Sequence, residues 1–201
     1  MSGVVPIHIK KPYQECCGFY GMKGKGKSNC MALMLQRTTS KFILIDVEHA
    51  HKWKPLRPDR QIILHPKRGT DKQALLMAVL SKVMNEKYYI LAVEGIDAFQ
   101  THHWMPEKLK DFVNFGRNYE WGRSSYWVTF RRSADVHKDI LGNVDHHFIF
   151  QSFEPNDVYN YYRKYLKKEV AEKIQDLPDY HFYYWKVGRK PQLSSPVRKV
   201  I

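Results

Sequence analysis

The stretch CGFYGMKGKGKSNCMALML, residues 17–35, constrains this 201-residue chain more than any other. Gly21, Gly24 and Gly26 alternate with Lys23, Lys25 and Lys27 before Ser28, which makes a loop too basic and too short of side-chain bulk for a core. The spacing Gly21-x-x-x-x-Gly26-Lys27-Ser28 is that of a phosphate-binding P-loop. Glycines at these places let the backbone take positive φ and bring successive N–H groups close to a polyphosphate, forming an anion-binding nest. Lys27 then reaches the terminal phosphates as a point charge, and the Ser28 hydroxyl ligates Mg²⁺. A helix must open at Ser28 so that its N–H groups face the anion. The candidate nucleotide contacts are therefore Gly21, Met22, Lys23, Gly24, Lys25, Gly26, Lys27, Ser28 and Asn29, with ATP and Mg²⁺ as the implied ligands. The competing reading is an exposed Gly/Lys loop with no ligand, and the rest of the chain has to decide between them.

Context favours the phosphate loop. Residues 13–20 read as a short buried strand before it, and Met, Ala and Leu after it favour a helix. Further on, apolar runs at 41–53, 60–66, 87–99, 124–132, 146–152 and 180–191 read as strands. Between them, 70–86 forms an amphipathic helix with Thr70 as its cap, and 105–119 forms another with Pro106 in its first turn. A short helix closes at Gly142, and a basic helix spans 154–174. Strands alternating with helices require an α/β fold: one domain with a mainly parallel central sheet flanked by helices, over residues 1–190, followed by a basic tail, 191–201. In such a sheet the ligand lies beyond the carboxyl ends of the strands. That edge gathers the loop, an Asp46/Glu48 corner, a Glu94/Asp97 corner and Arg131.

Charge narrows the partners. With 33 Lys+Arg against 20 Asp+Glu the chain carries +13, so an acidic partner is expected, nucleic acid first among them. Three cysteines, Cys16, Cys17 and Cys30, have no metal spacing and match a reducing intracellular compartment. The first residues read as neither a signal nor a transit peptide, and no apolar run approaches a bilayer span, so the chain is not an integral membrane protein. The pairs His102-His103 and His146-His147 read as strand-end or loop residues.

The ordered pieces GMKGKGKS, FILIDVEH, YILAVEGIDAF, FGRNYEWGR, YWVTFRRSADVHKDILGNVDHHFIF, FEPNDVYNYYRKYL and HFYYWKVGRKP together resemble the FtsK–HerA superfamily of P-loop ATPases. Within it they are most similar to the small genome-packaging ATPases of tailless icosahedral viruses with an internal membrane. The resemblance covers nearly the whole chain. It implies an ATP-driven motor that moves double-stranded DNA without reading its sequence, as a homo-oligomeric ring, hexamer or pentamer. It also implies a capsid or membrane partner at a packaging vertex, and a place in the host cytoplasm or in the virion. Residue by residue, it implies that Glu94 completes the Mg²⁺ site and that an arginine finger at Arg117 or Arg123 enters the next subunit's site. Two positions depart from the family pattern. The usual Asp-Glu pair after the second acidic strand is here Glu94-Gly95, which leaves Asp97 or Glu48 to position the attacking water. Arg131 stands where the family carries a sensor glutamine, and serves either as a γ-phosphate sensor or as a DNA contact. Asp46 is either part of the Mg²⁺ shell or a structural salt-bridge residue. Other functions compatible with the same pattern are a plasmid or chromosome translocase, a filamentous-phage assembly ATPase, a nucleotide-binding adaptor without turnover, and a small-molecule kinase.

Overall fold

Six of the apolar runs become neighbouring parallel strands, because their side chains are buried on both faces and need cover on both. The computed structural model describes residues 7, 9–47, 58–118, 120, 122–155, 157, 162, 163, 166 and 168–198. Its elements in chain order are β1 (Cys17–Tyr20), α1 (Lys27–Arg37), β2 (Lys41–Asp46), β3 (Gln61–Leu64), α2 (Lys72–Glu86), β4 (Tyr89–Glu94) and α3 (Glu107–Phe115). These are followed by β5 (Ser125–Phe130), α4 (Lys138–Gly142), β6 (His146–Phe150), α5 (Lys168–Lys173), β7 (Phe182–Lys186) and β8 (Gln192–Leu193). The sheet order is β3-β2-β4-β5-β1-β6-β7-β8. Strands β3 to β6 in that order pair parallel, and β7 and β8 close the edge antiparallel.

Alternation along the strands divides the core into two layers. Ile43, Ile45, Leu91, Val93, Tyr126 and Val128 face α2, α3 and α4, where Leu76, Leu80, Leu109, Phe112 and Ile140 pack on them. Phe19, Phe42, Leu44, Ala92, Trp127 and Phe148 face α1, through Cys30, Met31, Met34 and Leu35. The result is the expected α/β domain, a mainly parallel sheet with helices on both sides.

The strands are shorter than the apolar runs, for local reasons. β4 stops at Glu94 because Gly95 turns into the left-handed region at φ 75° and a 3₁₀ turn follows at Ile96–Ala98. The cap of α2 is Asp71, whose carboxylate accepts the Ala74 N–H, one residue beyond the expected Thr70. Pro106 precedes α3 rather than opening it. Cys16, Cys17 and Cys30 are buried free thiols, and burial pushes Cys16 up to about 12. The 154–174 helix is described in part, as α5 and scattered positions before it. Within the stretch read as a tail, Gln192–Leu193 pairs with β7 and Val197 is buried against the α1 layer.

Candidate nucleotide site

The site lies at the carboxyl edge of the parallel strands, where register sets its parts side by side. Tyr20 at the end of β1 pairs with Phe130 of β5 and Ile149 of β6, and Asp46 of β2 pairs with Glu94 of β4. Strand β5 separates the loop strand β1 from the acidic strand β4.

The loop has the geometry its glycines foretell. Gly21, Gly24 and Gly26 all have positive φ, at 135°, 81° and 104°. Gly21 also needs its missing side chain for space, since a Cβ there would stand 2.8 Å from the Phe150 carbonyl and 2.9 Å from that of Gln151. The Met22 N–H donates to Gln151 O at 2.9 Å, which anchors the loop to the end of β6 and commits that N–H to the fold. Lys27 Nζ donates to Met22 O at 2.8 Å, which holds the ammonium across the loop, and Lys27 is 9% exposed.

Helix α1 starts as an anion site must. Gly26 precedes it with no side-chain cap, and its first turn carries no acid. The first helical bond runs from the Cys30 N–H to Gly26 O, so the N–H groups before it lie outside the helix's own ladder. The dipole and these groups favour negative charge at this point.

Opposite the helix start, the Ser28 hydroxyl donates to Glu94 Oε1, in a contact that joins the end of the glycine loop to the acidic strand. Glu94 is only 2% exposed. A serine hydroxyl and a buried carboxylate are oxygen donors of the kind that would hold a Mg²⁺ ion bound together with a nucleotide. Among the described residues no three His, Cys, Asp or Glu side chains form a metal cage. Asp46 is fully buried beside Glu94, with its carboxylate 3.2 Å from His65 Nδ1.

Not every candidate converges here. Asp97 is exposed in the 3₁₀ turn beyond Gly95, on the site edge, and Arg131 is exposed just past β5 on the same edge. Lys25 pairs with Asp179, and Lys23 is exposed. Asn29 is buried in the first turn of α1. Glu48 lies outside the described residues. Arg117 and Arg123 lie at the opposite, amino-terminal edge, ahead of β5. Arg117 Nη1 donates to both oxygens of Asp145, at 3.0 and 2.9 Å, and Asp145 also accepts the Cys16 N–H at 2.7 Å. Arg117 thereby ties the start of β1 to the start of β6. Arg123 sits at φ 48° in a tight turn after Gly122, where a Cβ would stand 2.7 Å from Met84 O.

Two residues of the site escape a reading by motif. Thr129, on β5 between the loop and Glu94, accepts the buried Gly95 N–H at 2.9 Å and sets the backbone just past the acidic strand. A hydroxyl near the end of an otherwise apolar strand is the signal, which Arg131 two residues on obscures. Tyr180 lies against Gly26, and nothing local in the sequence links the two.

No protein-family model and no curated protein matches this sequence. Solved structures do match the fold. The DNA-packaging ATPase B204 of Sulfolobus Turreted Icosahedral Virus superposes with a TM-score of 0.74 at 15% identity, over 93% of this chain and all (100%) of that one. The fold is that of the P-loop ATPases. The genome packaging NTPase B204 of Sulfolobus turreted icosahedral virus 2, in complex with ATP-gammaS, gives 0.74 at 17% identity, over 92% of this chain and 98% of that one. The type VII secretion ATPase EccC of Thermomonospora curvata, ATPases 2 and 3, gives 0.59 at 10% identity, over 93% of this chain and 37% of the other. The resemblance read from the ordered pieces thus holds at the level of the fold. No helix among the described residues is long and apolar enough to cross a membrane.

Proposed function

We propose that this chain is an ATP-driven motor that moves double-stranded DNA, packaging a viral genome into a preformed capsid as a homo-oligomeric ring. The observation that carries the reading is the contact between Ser28 and Glu94 at the mouth of an uncapped, acid-free helix start. Its fold, shared over whole-chain length with packaging NTPases, supports the choice of substrate. In this reading Lys27 binds the β- and γ-phosphates, while Ser28 and Glu94 hold Mg²⁺. Bound Mg²⁺ neutralises charge on the transferring phosphoryl group and helps align it. Asp97 positions the attacking water in place of the carboxylate that Gly95 lacks, and Thr129 fixes the backbone between them.

The trans finger is assigned to Arg123. Arg117 is bidentate to Asp145, and withdrawing it would uncouple β1 from β6. Both arginines lie across the sheet from their own loop, which suits a residue serving the neighbouring subunit. The net charge of +13 suits a lumen that follows a phosphate backbone, and Arg131, exposed on the site edge, serves as sensor or DNA contact. The ring docks on a capsid or membrane protein at the packaging vertex, in the host cytoplasm or on the virion.

Gly95, at φ 75° where the water-polarising carboxylate stands in the resembling family, favours one other reading: a nucleotide-binding adaptor without turnover. The test is phosphate release by the purified chain with and without duplex DNA, coupled to triplex-strand displacement on linear duplex. The motor predicts DNA-stimulated release and displacement that depends on ATP. Nucleotide binding with no release on any DNA leaves the adaptor.

A further inference from the structure

We infer that Tyr180 is the platform on which the base of the bound nucleotide stacks, so that the site accepts purine nucleoside triphosphates alike. This rests on the nucleotide-site reading and adds the end of the ligand that the P-loop motif does not address.

Three observations converge on Tyr180. It abuts the phosphate loop: a Cβ at Gly26 would stand 3.0 Å from Tyr180 Cδ1 and 3.5 Å from its Cα. Despite that contact the residue is 42% exposed, a large ring left open to solvent at the rim of the site. It is also held in place from several sides. Its φ of 66° is uncommon for a residue with a side chain, and its carbonyl accepts the Val197 N–H at 2.9 Å. The residue before it, Asp179, pairs with Lys25 of the loop itself, and the His181 N–H donates to Pro178 O at 3.1 Å. A ring pre-positioned in this way loses little freedom when a ligand stacks on it.

Topology supplies the direction. Glu94 marks the terminal-phosphate end of the ligand, on the β4 side of β1. Tyr180 leads into β7, which pairs with β6 on the other side of β1. A nucleotide laid across the loop with its γ-phosphate towards Glu94 directs its base to the β6–β7 side, where Tyr180 stands. Stacking reads a π-face rather than a hydrogen-bonding edge, so it does not separate one purine from another.

The test is calorimetric titration of the parent, Tyr180→Ala and Tyr180→Phe with ATP, GTP and inorganic tripolyphosphate, each with Mg²⁺. Tyr180→Ala weakens ATP and GTP by a similar factor, about tenfold or more, which is the scale of one aromatic–base stack. It leaves tripolyphosphate unchanged, and Tyr180→Phe retains parent affinity for all three. Unchanged ATP affinity in Tyr180→Ala overturns the proposal, and so does an equal loss for tripolyphosphate, which would make the ring a support for the loop. A strong preference for ATP over GTP in the parent overturns the purine-tolerant part. Failure of the underlying reading looks different: the parent then binds none of the three, or Lys27→Ala binds them as the parent does.

Discussion

Arg117→Ala and Arg123→Ala separate a fold-holding arginine from the one proposed as the trans finger, and the structure sets the scale. Arg117 makes two bonds to Asp145 and a longer one, at 3.4 Å, to Asn143 Oδ1, and the ion-paired side chains are 32% and 30% exposed. Exposed pairs contribute about 0.2–1 kcal/mol, and breaking a buried one costs about 3–5 kcal/mol. A pair two-thirds buried, whose carboxylate also holds the Cys16 N–H, falls between them, so Arg117→Ala is expected to cost about 1–3 kcal/mol. Guanidinium unfolding reads this as a lower midpoint at unchanged slope. Adding Asp145→Asn should then cost less than the sum of the two single changes, because both remove one interaction. Arg123→Ala should cut turnover of the assembled ring by roughly 10³-fold, the scale of a trans finger. Mixing supplies the decisive half: rings of Arg123→Ala and Lys27→Ala subunits regain part of the activity that each lacks alone. The reasoning is refuted if Arg117→Ala is as stable as the parent, or if mixed rings form with Arg123→Ala and recover nothing.

Other outcomes follow from single contacts. Gly21→Ala drives a Cβ into two carbonyls at φ 135° and should cost about 3 kcal/mol or more, whereas Gly24→Ala, with nothing within 4 Å, should cost about 1 kcal/mol; thermal melts compare the two. Thr129→Val leaves the buried Gly95 N–H without its acceptor, so stability should fall by about 1–3 kcal/mol and turnover with it, as measured by unfolding and phosphate release. Burial holds His147 down at about 3, so the unfolded chain binds the proton first and stability is lost as pH falls from about 6.5 towards 3, by up to about 1.4 kcal/mol per pH unit. Asp157, raised by burial to about 6, has the opposite sign, its contribution fading as pH rises from about 4 to 6. His147→Gln leaves Asp157 unopposed, so relative to the parent its stability should fall as pH rises from about 4 to 6, as measured by unfolding across that range.

Much of the fold was legible because a parallel sheet covered on both faces writes itself as continuous apolar runs, such as FILID and YILAVE, separated by helical patterns. The loop was legible because its glycines are demanded by backbone geometry, as at Gly21, where φ and space both exclude a side chain. Strand ends were less so, since Gly95 stops β4 by a backbone turn that an apolar run does not announce. Some contacts that depend on long-range pairing were not legible. Arg117 looks in sequence like an exposed helix-end arginine, and only the closeness of β1 to β6 brings Asp145 to it, 28 residues away. Tyr180 reaches Gly26 only through the antiparallel return of β7.

The claim that the Ser28–Glu94 contact is the hydrolytic centre is tested most directly by the fate of ATP on Glu94→Gln. The amide keeps the shape of the buried side chain but removes the charge that, in the proposed function, would hold Mg²⁺. Bound nucleotide and released phosphate are measured on the same sample, with duplex DNA present, beside the parent and Lys27→Ala. The account predicts that Glu94→Gln retains intact ATP and releases almost no phosphate, that Lys27→Ala retains neither nucleotide nor activity, and that the parent turns over. Phosphate release by Glu94→Gln at the parent rate would contradict it.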